Sequence, residues 1–205
     1  MYKSINQWSF PAGMRIREMM VMAKSNGFEG FEPALSAEGE LSLTSTDAQV
    51  REIREAADEV GIKLASLAYG LTWGTSPTSS DPEVRKAARS HALRQLECAH
   101  LLGVDAILLV PGTVGAGFWG DGDPVEYDEC WDRALLNLDA LKGTAEALGV
   151  TIGVENVWNN FLMSPLEMKS FIDMVGSERV GAYLDVGNVI KFGYAETWVR
   201  ILGKR

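Results

Sequence analysis

Histidine and cysteine are scarce in this 205-residue chain, with two of each. The cysteines, Cys98 and Cys130, lie in stretches of helical periodicity and form no Cys-x-x-Cys pair, which excludes a zinc-ribbon arrangement and a disulfide framework and marks ordinary thiols of a reducing compartment. Basic residues are also short. Nineteen Lys+Arg against 28 Asp+Glu leave a formal charge of −9, which opposes the counterion release that drives binding to nucleic acid or anionic lipid. No nucleic-acid or membrane partner is therefore expected. No apolar run approaches the ~18 residues of a membrane span, and the first ten residues, Met-Tyr-Lys-Ser-Ile-Asn-Gln-Trp-Ser-Phe, lack the apolar stretch of a signal peptide. A cytoplasmic location is the expectation. No low-complexity tract or linker divides the chain, so residues 1–205 read as a single domain whose 46% hydrophobic content suffices for a sizeable core.

What is present is a repeat. Four times an amphipathic helical stretch ends on a glycine (Gly27, Gly61, Gly103, Gly149) and is followed by a short apolar strand. Glycine at that place supplies the left-handed conformation that ends a helix, which other residues adopt at a cost. The helices keep apolar residues at three- and four-residue spacing, as in Val50, Ile53, Ala57, Val60 and in Trp131, Leu135, Leu138, Leu141, Ala145, Leu148. Asp81-Pro82 and Ser164-Pro165-Leu166-Glu167 mark two helix starts, the second with a capping-box glutamate. Strands are expected near Ser4 to Trp8, Phe28 to Phe31, Ile62 to Ala68, Ala106 to Val110, Thr151 to Val154 and Val180 to Leu184.

Strands apolar on both faces and alternating with helices imply an α/β fold with a parallel sheet. A dinucleotide-binding sheet should open with a Gly-rich turn after its first strand, where this chain has Trp8-Ser9-Phe10-Pro11. The Gly112-Thr-Val-Gly115-Ala-Gly117 stretch lacks the Walker lysine and a following helix start, so it reads as a post-strand loop, in the manner of a lid, with no phosphate cradle. A (β/α)8 TIM barrel needs eight units in about 250 residues. Six units at that repeat length use nearly all of this chain, so the expectation is an incomplete TIM barrel, strands one to six, with the last two units missing beyond Arg205.

In a barrel the chemistry sits where strands end. Glu155 follows the apolar run of the fifth strand and Asp185 that of the sixth, which brings two carboxylates to one rim. Such a pair suits a hard divalent cation that prefers oxygen ligands; the same positions equally suit loop caps that accept backbone N–H bonds. Glu32, at the end of strand two, suits either a sugar hydroxyl or a solvated loop. Trp8, Trp73, Trp119 and Trp158 all fall after strands, where aromatic faces line sugar pockets or simply pack, and Asn159 is a candidate for orienting substrate. His91 and His100 lie in the Pro82 to Leu102 helix, off the rim, and read as packing residues.

The words Val154-Glu155-Asn156-Val157-Trp158-Asn159, Leu184-Asp185-Val186-Gly187-Asn188 and Asn26-Gly27-Phe28-Glu29-Gly30-Phe31-Glu32 resemble the sugar phosphate isomerase/epimerase family of xylose isomerase-like TIM barrels, which includes D-tagatose 3-epimerase-like and L-xylulose-5-phosphate 3-epimerase-like enzymes. The resemblance runs through all six strands in order. It implies Glu155 and Asp185 as ligands of a divalent metal ion (Mn²⁺, Mg²⁺ or Co²⁺), with Glu155 also removing the proton α to the carbonyl of a ketose or ketose phosphate to give an enediolate. The family's other two ligands, a His after strand seven and a Glu after strand eight, belong to strands this sequence does not contain. Many members carry His three residues after the metal-binding Asp, where this chain has Asn188, an amide that donates a hydrogen bond but is no acid. The same carboxylates serve an aldose–ketose isomerase or an inosose-type dehydratase. A third reading is a non-catalytic truncated barrel that binds sugar or partners, its open sheet edges favouring a homo-oligomer. The superfamily's DNA-repair endonucleases fit poorly, since their zinc cluster needs many histidines.

Overall fold

The computed structural model describes residues 2–115, 124–191 and 193–205. The elements alternate as the sequence predicts: β1 (Ser4–Asn6), α1 (Ile16–Ser25), β2 (Gly30–Glu32) with the short β3 (Ala34–Leu35), α2 (Asp47–Val60), then β4 (Lys63–Leu64) and β5 (Ala68–Tyr69). There follow α3 (Pro82–Leu102), β6 (Ala106–Leu109), α4 (Tyr127–Leu148), β7 (Thr151–Glu155), α5 (Pro165–Val175), β8 (Val180–Tyr183), the one-turn α6 (Val186–Val189) and α7 (Ala195–Leu202).

Every strand pair is parallel: β1 beside β2, β2 beside β4, β3 beside β5, β6 beside β7 and β7 beside β8. The Leu67↔Ile107 bridge joins the third unit to the fourth. The six units thus follow one another around a curved wall in chain order, and the described strands do not close on themselves. The strand boundaries differ from expectation in several places. The strand expected to reach Trp8 stops at Asn6, whose side chain accepts the Trp8 N–H (2.7 Å) and starts a 3-10 turn over Gln7–Ser9, and those expected over 106–110, 151–154 and 180–184 each differ by one residue at the end. Phe28 stays outside β2 because its N–H closes the end of α1 on Ala23 O. The single strand expected over Ile62 to Ala68 is two pieces, because the backbone changes partners within it: Ala65 N bonds Phe31 O, whereas Leu67 N bonds Ala106 O.

The helix signals hold. Gly27, Gly61, Gly103 and Gly149 all have φ between 70° and 78°, and Gly176 after α5 is a fifth of the same kind. Asp81 accepts the Glu83 N–H at 2.8 Å and Ser164 the Glu167 N–H at 3.2 Å. Glu167, however, turns away from its expected capping-box partner and accepts a hydrogen bond from the Tyr127 hydroxyl. Both histidines pack on α3 as expected, His91 against the Tyr69 hydroxyl (2.8 Å) and His100 against Leu148 O (3.0 Å). Cys98 and Cys130 are buried free thiols. Among the described residues no helix is long and apolar enough to cross a membrane.

Alternation along β7 divides its residues. Ile152 and Val154 are fully buried in the apolar cluster shared with the helices, while Gly153 and Glu155 take the other face. The lack of a side chain at Gly153 is what admits Tyr183 from β8. A Cβ there would stand 2.9 Å from Tyr183 Cδ2 and 3.0 Å from the Ile107 carbonyl oxygen, and the latter, being backbone, cannot yield. Gly153→Ala is therefore expected to destabilise the chain by about 1–3 kcal/mol, as overpacking of a closed core does, read as a lowered urea midpoint; an unchanged midpoint would show that Tyr183 is not fixed across this strand.

Candidate functional site

Glu155 is the last residue of β7 and Asp185 the N-cap of α6, immediately after β8, so the parallel pairing of these strands sets both carboxylates on one rim. They are close enough to repel. Burial, then the charge of Asp185, then that of Glu32 raise the Glu155 carboxyl from its ordinary value of 4.5 to about 7. Among the described residues no hydrogen bond or ion pair relieves the Glu155 carboxylate. Asp185 Oδ1 accepts the Asn188 N–H at 2.9 Å, so the capping role foreseen as an alternative is present on one oxygen of Asp185 and absent at Glu155.

This is donor chemistry that fits a hard divalent cation: two carboxylates, oxygen only, with negative charge that no neighbouring cation among the described residues is seen to offset at Glu155. Among the described residues no cluster of three or more His, Cys, Asp or Glu side chains is placed to hold a metal ion, so Glu155 and Asp185 are two oxygen donors and not a complete metal site.

Glu32 is 6% exposed, so it is not the solvated loop carboxylate that was one of its two expected readings; its Oε1 accepts from Ser66 Oγ (2.5 Å) and from the Tyr183 hydroxyl, its Oε2 from Asn6 Nδ2 (2.5 Å). Residues of the first, second, third and sixth units thus meet at one interior carboxylate, and Tyr183 forms a crossbar through the barrel beneath the rim. Asn159 is fully buried; it donates from Nδ2 to Gly112 O (2.7 Å) and accepts the Phe161 N–H (3.2 Å), while its backbone oxygen takes the Val114 N–H (3.0 Å). Its amide anchors the loop after β6. That loop is tied in turn to the one after β5, where Thr78 Oγ1 accepts the Thr113 N–H at 3.1 Å.

Of the tryptophans, Trp8 is 57% exposed, lies against Gly70, and borders a cleft of about 500 Å³ with Phe10, Met14, Glu38 and Glu40 between the loops after β1 and β3. Trp73 is partly exposed, and Trp158 donates its indole N–H to Asn188 O (3.2 Å) beneath the Lys191 ammonium. Trp119 and the last two residues of the lid-like stretch, Ala116 and Gly117, lie outside the described residues. Asn188 donates one amide N–H to Asn156 O at 3.0 Å. Sequence reasoning singled out neither Tyr183 nor Asn156. Tyr183 carried a usable signal, since it stands two residues before Asp185 and so points to the same side of the strand.

The family described as xylose isomerase-like TIM barrel matches residues 21–205. The 2-epi-5-epi-valiolone 7-phosphate 2-epimerase of Actinoplanes sp. (strain SE50/110) is 25% identical over 178 residues, covering 87% of this chain; the chain spans 60% of that curated relative's length. Among solved structures, a D-psicose 3-epimerase determined with D-fructose superposes with a TM-score of 0.84 at 21% identity, over 99% of this chain and 70% of that one. The 3-keto-D-glucoside 4-epimerase of E. coli gives 0.75 at 18% identity, over 98% and 74%.

Proposed function

Because the chain belongs to the xylose isomerase-like TIM-barrel family, we propose that the protein is a divalent-metal-dependent epimerase of a ketose or ketose phosphate, with Glu155 as its base. The observation that carries this reading is the pair of carboxylates, Glu155 at the end of β7 and Asp185 directly after the adjoining parallel strand β8, with Glu155 buried and crowded by the Asp185 and Glu32 charges. Crowding by like charges favours the uptake of a proton by Glu155. The relatives named above, all epimerases by name, support the reaction class.

Glu155 takes the proton from the carbon next to the substrate carbonyl, leaving an enediolate, and a second acid on the opposite face returns a proton with inversion. Asp185 is fixed through Oδ1 by the Asn188 N–H, and would use its other oxygen as the ligand. A cation (Mn²⁺, Mg²⁺ or Co²⁺) held by Glu155 and Asp185 supplies Lewis-acid polarisation of the substrate oxygens when bound. Trp8, exposed at the rim, offers an apolar face to the sugar.

The test is a panel of ketoses and ketose phosphates incubated in D₂O with Mn²⁺ and followed by NMR. The expected result is deuterium at one carbon adjacent to the carbonyl, in a product of inverted configuration at that carbon. Formation of an aldose would replace the reading with aldose–ketose isomerisation, and loss of water with dehydration. No exchange with any substrate would remove the catalytic reading altogether.

A further inference from the structure

Asn156 directly follows Glu155, and its side chain reaches across to the backbone of Asp185. It is 4% exposed, and its side-chain amide makes both hydrogen bonds that a neighbouring strand would make to Asp185: Nδ2 donates to Asp185 O and Oδ1 accepts the Asp185 N–H, each at 2.8 Å. The last backbone register pair of the two strands is Glu155↔Tyr183, so this amide continues the β7–β8 ladder past its end with a side chain. The ring closes through Asn188, whose Nδ2 donates to Asn156 O at 3.0 Å and whose N–H donates to Asp185 Oδ1 at 2.9 Å.

We infer that Asn156 is a positioning residue, an amide clamp that fixes Asp185 relative to the adjoining Glu155 so that the two carboxylates engage one divalent cation; the inference rests on the metal-dependent reading above. Only an amide suits the place. Its donor and acceptor must face a peptide oxygen and a peptide N–H side by side, and a shorter side chain leaves both buried peptide groups unpaired. Without the clamp, two like charges that repel are free to separate, and a cation that needs both loses the ready-made geometry. Residues that orient ligands in this indirect way typically affect metal affinity by 10–100-fold when removed.

The experiment measures Mn²⁺ alone, without substrate, by the EPR signal of the free ion, and thermal unfolding in EDTA alongside. Variants are Asn156→Ala, Asn156→Ser, Asn188→Ala, which opens the ring from its less buried side, and Gln95→Ala as a control. Gln95 is a buried amide of the same kind that clamps Leu67 O (2.9 Å) and Leu108 O (3.0 Å) from α3. The expected result is Mn²⁺ affinity about 10-fold weaker or more for both Asn156 variants, a smaller loss in the same direction for Asn188→Ala, and a Gln95 variant that loses thermal stability with unchanged affinity. Asn156 variants that bind Mn²⁺ like the wild type, or no more weakly than the Gln95 variant, overturn the clamp. Should the Asn156 variants not fold, wild-type affinity in Asn188→Ala overturns it instead. A wild-type protein that binds no Mn²⁺ overturns the metal-dependent reading itself, and the clamp with it.

Discussion

Replacing Glu155 by Gln is expected to lower turnover by about 10²–10⁴-fold, the usual cost of losing a general base. The substitution keeps the volume and shape of the side chain at the end of β7, so the barrel wall and the Asn156 ring stay in place. It removes the group's capacity to accept a proton, together with one negative charge of the pair. Two readouts separate these losses. Deuterium uptake next to the carbonyl reports the base and should vanish with turnover, while Mn²⁺ titration reports the lost ligand and should shift to higher concentration. Wild-type turnover in the variant with metal bound would end the case for Glu155 as the base.

The same residue makes the metal-free protein sensitive to pH in an unusual direction. Most paired carboxylates stabilise a fold as pH rises; Glu155 has its folded value raised, from 4.5 to about 7, so its protonated form is the one the fold prefers. Its contribution is fully favourable below 4.5, is lost as pH rises towards 7, and is absent above that. A shift of this size corresponds to at most about 3 kcal/mol, at 1.36 kcal/mol per unit. Urea unfolding in EDTA should therefore show the wild type losing stability between pH 5 and 8 relative to Glu155→Gln. Adding Mn²⁺ should flatten the difference, because a bound cation stabilises the folded state and neutralises the repulsion. A wild-type-minus-variant difference that stays constant across this range would mean that the carboxyl is not perturbed.

The repeat of helix, glycine and apolar strand was readable because each joint obeys a local rule: Gly61 and Gly149 adopt the left-handed conformation that the spacing demanded. The rim positions of Glu155 and Asp185 were readable for a related reason, since the end of an apolar run in this architecture locates a side chain without further knowledge. What escaped were features set by reach across the fold. Glu32 read as a sugar contact or a solvated loop carboxylate because its donors, Asn6, Ser66 and Tyr183, come from three other units of the wall. Asn159 looked available because a polar residue after a strand has two directions to point, and only the loop after β6 decides that it turns inward to Gly112. Asn156 was visible as a letter in a motif, but its two bonds to Asp185 depend on the register of β7 against β8.

The crossbar between Tyr183 and Glu32 joins residues 151 positions apart. At about 5–20 residues per second, Glu32 is synthesised roughly 8–30 s before Tyr183. Asn6 is already made by then, and Ser66 follows after 34 residues, so for much of that interval the carboxylate has two of its three donors and an unfinished wall around it. Long-range closures of this kind slow folding because the intervening loop must be ordered before the contact repays it. The nascent first half of the wall is thus the period of greatest exposure to misassociation, and it ends only when the sixth strand docks.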